Sequence, residues 1–541
     1  MRRVAAAFAA LLIALAAAAA LAGAASANDL TSPPGLDEVP AGGYRLTERE
    51  ALRIADRLPE VREARADAGR STRSAFLKPV RRWQVSYYDT KRDRSEIAQV
   101  QIDDATGAVL EVWTDYKVPW TMARGYDGAF GRKINSPFVW VPLAVLFVLP
   151  FIDWRRPLRM LHLDLLVLTG FSVAYAFFNQ GDIDISTPLT TPLLVYVLAR
   201  MLWIGLRPKD TDRPPDRPLP LLVPALWLGV AAVFLLGFRL GLNVLSSNVI
   251  DVGYSGVIGA DKLANGLPLY GAFPDDNASG DTYGPLNYLL YVPFEQIFGW
   301  SGRWDTLPAA HAAALVFDLL CVGLLFQLGR QLRGTAMGIT LVYAWVAFPF
   351  TTFATNTNAN DALPAALTIA ALVAATSPGG RGILVGMAGL TKLAQLGLIP
   401  VFATYRWSGH RIRTIVLFGL GLLIAAILAL ATALLHQGSL REFYDATLGF
   451  QADRLSPFTP WGLYDGLETV QTVVQVLGVL FGVAVAFLPR RQDVVGLAAL
   501  SAAVLIALQL GLGYWFFLYV VWWIPLVLVA LLGRDGEPEL R

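Results

Sequence analysis

From residue 138 onward, apolar runs of about 20 residues alternate with short polar loops, several of them basic. Runs of that length fit the hydrocarbon core of a bilayer. They predict crossings at about 138–153, 161–178, 187–206, 219–240, 307–328, 336–350, 362–376, 412–434, 467–488, 493–511 and 513–532. Two stretches break the series. Residues 283–299 would reach only about 25 Å as a helix, short of a core about 30 Å thick, and are expected to lie in the outer interface. Residues 382–404 have the length of one crossing, but Arg381 precedes them and Arg406, Arg411 and Arg413 follow. Basic loops favour the cytoplasm. A hairpin of two short legs, bending at Lys392, keeps both basic ends on one side. Irregular backbone at that depth is tolerated only where protein or a wet cavity covers it.

The N-terminal quarter has a different pattern. Arg2 and Arg3, the apolar run Val4 to Ala22 and the triplet Ala25-Ser26-Ala27 predict a secretory signal over residues 1–27, or an uncleaved anchor. Either places residues 28–135 outside the cytoplasm. Thr47-Glu48-Arg49-Glu50 forms a capping box ahead of a helix from Ala51. Period-two alternation predicts strands at Trp83–Tyr88, Ile97–Ile102 and Ala108–Trp113, with a turn at Asp103–Gly107. Helix, strands and the D-x-x-T-G turn resemble a PepSY module, which would imply binding or regulation. A plain α+β spacer fits the same pattern.

The fold class is therefore a polytopic α-helical membrane protein with a small extracytoplasmic α+β domain. Composition agrees: of 541 residues, 55% are hydrophobic and 16% charged, and the mean hydropathy is +0.49. A net charge of +2 gives no reason to expect nucleic acid. The single cysteine, Cys321, excludes an intramolecular disulfide and a cysteine metal cluster. No P-loop, Rossmann fingerprint or serine-hydrolase elbow occurs. The cytoplasmic loops are too short for a nucleotide-sugar domain, so a sugar donor, if there is one, would be membrane-borne.

The candidate chemistry is concentrated in loops expected outside. The stretch Asp251 to Trp300 carries Asp251, Tyr254, Gly266-Leu267-Pro268-Leu269-Tyr270 and Tyr283-Gly284-Pro285. It resembles the first external loop of GT-C membrane glycosyltransferases, family 87 in particular, although Gly284 stands where that family usually doubles the proline. Phe450-Gln451, Arg454, Ser456-Pro457 and Trp461 resemble the late external loop of the same family, and Gly389-Leu390-Thr391-Lys392 its G-L-x-K.

The resemblance implies Asp251 as base on an acceptor hydroxyl and Asp361, of the Asn360-Asp361 pair, as an opposing acid. It also implies Lys392 and Arg454 as a clamp on the donor phosphate. Tyr254, Tyr270, Tyr283, Asn360, Gln451 and Trp461 are candidate substrate contacts. Each has a plainer structural reading: Asp251 and Asp361 as helix caps, Lys392 snorkelling to the interface, Trp461 in an interfacial aromatic belt. Asp261 and Lys262 are expected on a solvated face. His311 and Asp318 share a helix face, as a proton relay or as helix-helix glue. Asp275, Asp276 and Asp281 form an acidic turn. A divalent cation (Mg or Mn) is a possible cofactor, shared by Asp251 and Asp361. Lys392→Ala is expected to spare the fold, by removing an unpaired buried cation.

The expected organisation is signal 1–27, α+β domain 28–135, three additional helices and linker 136–218, a GT-C-like core 219–465 with external loop 241–306, and C-terminal helices and cytoplasmic tail 466–541. The resemblance implies transfer of a sugar, mannose or a pentose, from a polyprenyl-phosphate donor. The acceptor would be a lipid, glycan or protein at the outer face of the plasma membrane. A lipid-linked sugar transporter, or a sensor headed by the PepSY-like module, are the alternatives.

Overall fold

The computed structural model describes residues 30–90, 95–126, 130–207, 218–406, 411–434, 440–452, 454–488, 490–536 and 538–540. The expected signal at 1–27, most of the linker before Pro218, His410 and His436 lie outside the described residues. The chain forms two compact units: Ala25–Tyr126 with Gln180–Ile183, and the remainder.

In the small unit, α1 (Glu48–Ala55) and α2 (Pro59–Ala68) precede strands β1 (Ser71–Lys78), β2 (Arg82–Asp89), β3 (Glu96–Asp103) and β4 (Val109–Thr114). The strands form one antiparallel meander in the order β1-β2-β3-β4. The Thr47/Glu50 capping box is present. Sequence alternation identifies β2, β3 and β4 but not β1, whose polar STRSAFLK buries only Ala75. Trp83, Val85, Tyr87, Val100 and Ile102 fill the core with Ala51 and Leu52. The Asp103–Gly107 turn has two carboxylates with separate tasks. Asp103 accepts from the Thr106 amide and hydroxyl, closing the turn. Buried Asp104 accepts from the amides of Arg45 (2.7 Å) and Leu46 (3.0 Å) and from Trp83 Nε1 (2.9 Å), tying the entry segment to the sheet. Asp104→Ala strands these donors and should cost the unit about 3 kcal/mol. Faster hydrogen exchange at the β2 and β3 amides of the intact protein is the measurement.

The large unit is helical. Its principal helices are α3 (Pro137–Val148), α4 (Met160–Gln180, whose last residue belongs to the small unit), α5 (Ile183–Leu206), α6 (Ala225–Leu245), α7 (Asp251–Ala264), α8 (Pro285–Phe298), α9 (Pro308–Ala347), α10 (Pro349–Asn356), α11 (Ala362–Val373), α12 (Pro378–Gly389), α13 (Arg411–Leu434), α14 (Glu468–Ala484), α15 (Val494–Leu510) and α16 (Val520–Leu532). Among the described residues, α4, α5, α6, α9 and α13 are long and apolar enough to cross a membrane. The shorter apolar helices fall at 137–151, 362–373, 393–403, 468–484, 494–510 and 517–532. Several of the eleven expected crossings are thus shorter as helices than as apolar runs. The expected span at 219–240 starts late, because Leu219–Leu221 is a strand (β5) paired in parallel with Pro538–Leu540 (β6).

Helix α9 combines two expected crossings. Its backbone leaves helical geometry at Arg333 (φ −150°, ψ 34°) and Gly334 (φ 77°, ψ −175°). The two halves then fold together so closely that a Cβ at Gly329 would lie 2.5 Å from Gly338 Cα. Residues 382–404 also double back. α12 ends at Gly389, Lys392 is extended (φ −130°, ψ 112°), and the chain returns through Leu393–Leu398 and Ile399–Ala403. Arg381, at the start of the first leg, donates to the carbonyls of Phe402 (2.9 Å) and Tyr405 (3.0 Å) at the end of the second. Both open ends therefore lie together, and Lys392 is at the bend.

Candidate active site

The segment before Asp251 is stitched to the loop before α11. Asn248 and Ile250 donate their amides to the carbonyls of Asn356 (3.2 Å) and Thr357 (3.1 Å). Two asparagines of the run Asn356–Asp361, Asn356 and Asn358, serve this clamp. Asn358, in the left-handed region at φ 51°, donates to the Asn248 carbonyl (3.0 Å) and accepts from Asn243 Nδ2 (2.8 Å). Asn356 Nδ2 reaches the Ser246 carbonyl at 3.2 Å. Gly253 permits the approach, since a Cβ there would lie 2.2 Å from the Asn358 carbonyl oxygen. The clamp carries Asp251 and Asp361 to one end of the helices.

Asp251 is the first residue of α7, where the helix dipole favours an anion. Its side chain is open to solvent while crowded by protein. Desolvation raises its carboxyl above the ordinary range, and Arg454 and then Lys392 pull it back down. Asp361 is almost fully buried and makes no capping bond. Its Oδ1 accepts from Trp522 Nε1 at 2.7 Å and pairs with Lys392 Nζ at 3.3 Å. Its Oδ2 has no partner among the described residues. Lys392 Nζ also lies over the rings of Tyr283 (4.4 Å) and Trp522 (5.6 Å). The expected unpaired lysine is therefore a paired one, and the expectation that Lys392→Ala spares the fold is corrected accordingly.

Gly284 has a local reason. Its amide donates to the Thr391 carbonyl at 3.1 Å, which a proline could not do. A Cβ there would lie 2.1 Å from the Leu390 carbonyl oxygen. This fit seats Tyr283 beside the Lys392 bend. Arg454 lies 3.6 Å from the Tyr514 ring centroid, on a segment held where Ser456 donates its amide to the Gly513 carbonyl at 2.8 Å. Tyr519 stacks on Trp522 at 4.2 Å. Tyr514, Tyr519 and Trp522 were not singled out from the sequence, because they sit in a run expected to be membrane span. The helix begins only at Val520, and the signal was the density of aromatic residues from Tyr514 to Trp523.

The other expected contacts lie elsewhere. Tyr254 donates to Asp276 (3.3 Å) and packs on Trp304. Tyr270 donates to the Tyr283 carbonyl (3.1 Å) within a small core. Asn360 donates to Asn287 Oδ1 at 2.6 Å. Gln451 is exposed, and Trp461 donates to the Leu510 carbonyl at 2.9 Å. Lys262 is buried against the Pro268 carbonyl (2.9 Å), not solvated. His311 and Asp318 do not form a relay: His311 Nδ1 meets Asn243 Oδ1 (3.1 Å), while Asp318 binds Arg239 (2.6 Å) and Trp345 Nε1 (2.9 Å) as helix-helix glue. In the acidic turn, Asp281 accepts the Gly271 amide at 2.7 Å.

Among the described residues, no group of three His, Cys, Asp or Glu side chains comes together. The two carboxylates, Asp251 and Asp361, already share their surroundings with two cations, Lys392 and Arg454, which leaves little net negative charge for a metal.

Residues 282–512 match the family model of glycosyltransferase family 87. The family-87 segment contains Tyr283, Asp361, Lys392 and Arg454, begins after Asp251 and ends before Tyr514. The crystal structure of ArnT from Cupriavidus metallidurans bound to undecaprenyl phosphate is similar at a TM-score of 0.39 and 15% identity, over 57% of this chain and 59% of that one. No curated protein matches the chain.

Proposed function

We propose that the chain is a membrane glycosyltransferase of GT-C type that moves a sugar from a polyprenyl-phosphate donor to a hydroxyl acceptor at the extracytoplasmic face. The observation that carries this reading is the buried Asp361–Lys392 pair, at 3.3 Å, with Asp251 and Arg454 near enough to share its electrostatics; the four come from separate segments, three of them inside the family-87 match. Asp251, open to solvent, takes the acceptor's proton as its oxygen bonds to the sugar's anomeric carbon. The bond from that carbon to the phosphate oxygen breaks, and polyprenyl phosphate leaves with the electron pair. Lys392 as a point charge and Arg454 as a planar fork receive the phosphate. Asp361 and Trp522 hold Lys392 in place, and Tyr283, Tyr514 and Tyr519 offer ring faces to a sugar. No step is routed through a metal. The small unit, two helices before a four-stranded meander, is read as a PepSY-like regulatory or binding module.

Reconstituted protein supplied with labelled polyprenyl-phosphate sugars tests the reading. Release of polyprenyl phosphate coupled to sugar transfer supports it, and movement of intact donor across the bilayer without release would favour a carrier.

Sidedness is tested separately, by single-cysteine labelling in a Cys321→Ser background. Cys321 is buried and donates to the Ala362 carbonyl, so serine is a near-isosteric replacement. Cysteines at positions 251 and 454 should label from outside, with the buried position 361 expected on the same side, and those at 217, 333 and 413 only from inside. Outside labelling at 413 would contradict the assignment of the hairpin's open ends to the cytoplasm.

A further inference from the structure

The end of the helices remote from Asp251 holds a polar cavity. Helix α6 separates the two ends: it runs 21 residues from β5 towards Asp251, about 30 Å. Helix α16 runs in reverse, from Val520 beside Trp522 to Leu532, two residues before Arg534. The cavity is about 880 Å³ and is lined by the loop before α4, by Arg200 of α5, by β5 and by the segment after α16.

Five arginines face it. Two are engaged: Arg200 with Asp164 at 2.8 Å, and Arg159 with Asp535. Asp535 also accepts Arg333 Nε through its carbonyl at 3.3 Å, which fixes the tail to the α9 bend. The side chains of Arg155, Arg156 and Arg534 make no ion pair or hydrogen bond among the described residues. Four carboxylates also line the cavity. Asp153 holds the amides of Arg155 (3.1 Å) and Arg156 (3.2 Å). Asp164 and Asp535 are paired, and Glu539 sits on β6. Desolvation, and then the like charge of Arg200, depress Arg534 below its ordinary value. Asp535 and Asp164 act against that on Arg534, so five guanidinium groups face four carboxylates, and the Arg155 and Arg156 side chains have no ion pair among the described residues.

The loop also has two exposed apolar side chains, Trp154 (71% exposed) and Leu158 (96% exposed), bracketing Arg155 and Arg156. Tryptophan beside arginine is the composition of a membrane-water interface. A soluble phosphate would have no use for these side chains, whereas a phospholipid would use both the charge and the apolar edge. We propose that this cavity binds the headgroup phosphate of an anionic phospholipid, with Arg155, Arg156 and Arg534 as its ligands and Trp154 and Leu158 against its acyl chains. The site is separate from the sugar-transfer chemistry, and its test needs no transfer activity.

The test is native mass spectrometry of the purified full-length protein titrated with phosphatidylglycerol or phosphatidylcholine. Phosphatidylglycerol should be retained in preference. In Arg155→Ala/Arg156→Ala/Arg534→Ala its affinity should fall about a hundredfold, at roughly fivefold per arginine near a membrane surface. Arg155→Gln/Arg156→Gln makes the same test on two exposed side chains that hold nothing in the fold. Arg330→Ala, exposed at the α9 bend and outside the cavity, should bind as wild type. Retention unchanged in the cavity variants overturns the proposal, as does an equal loss in Arg330→Ala, which would mean diffuse surface attraction. Displacement of the lipid by millimolar inorganic phosphate would also overturn it, by making the occupant a soluble anion.

Discussion

Asp251→Asn is expected to lower turnover by about 10²- to 10⁴-fold, the contribution of a positioned general base, while donor affinity stays within a few-fold of wild type. The asparagine keeps the volume and the helix start but cannot take the acceptor's proton. The expected signature is a loss in kcat with little change in donor Kd, measured by single-turnover transfer and lipid binding on the same preparation. The pH profile gives an independent reading. The base works only when ionised, so kcat/KM should fall as pH drops through the Asp251 pKa. Because desolvation raises that carboxyl, the acid limb should lie above the ordinary aspartate value of 3.8. A variant that loses donor binding as well would make Asp251 a residue that holds the donor rather than the acceptor's base.

Lys392→Ala should be destabilising as well as inactive. Removing the ammonium leaves the Asp361 carboxylate buried with Trp522 as its remaining partner. Stranding one member of a buried pair costs about 3–5 kcal/mol. Lys392→Met/Asp361→Asn removes both charges and should regain most of that stability, because the pair's net contribution is small even though breaking it is costly. Donor use should stay lost in the double variant, since the phosphate's point charge is gone. Thermal unfolding in detergent separates the two effects. If the double variant recovered donor use along with stability, Lys392 would be a structural residue, and the phosphate ligand would have to be sought around Arg454.

The sequence made the apolar runs, the bend at Lys392 and the acidic start of the first loop legible, because each breaks a pattern. A lysine within an apolar stretch flanked by arginines has few topologies open to it, and Arg381 bonding to Phe402 and Tyr405 shows how the hairpin is closed. Asp361 was ambiguous, since an aspartate before a helix can cap it. Only the geometry shows that its Oδ1 turns to Lys392 and Trp522 instead. Tyr514, Tyr519 and Trp522 were hidden because hydropathy cannot tell an aromatic ring facing lipid from one facing a polar site. Tyr254 and Tyr270, expected as substrate contacts, support the loop from within. Strand β1 was missed because its pairing with β2 depends on backbone hydrogen bonds that leave little trace in the side chains.

The bond between Asp361 and Trp522 joins residues 161 positions apart. At roughly 5–20 residues per second, a ribosome emits the tryptophan about ten to thirty seconds after the aspartate. Lys392 emerges within a few seconds, so the two charges can enter the bilayer already neutralising each other. Trp522 arrives afterwards, against an ion pair that is already formed. Biogenesis therefore passes through a stage in which the charged centre is assembled but open on one side, and the insertion machinery or a lipid must shield it until α16 docks.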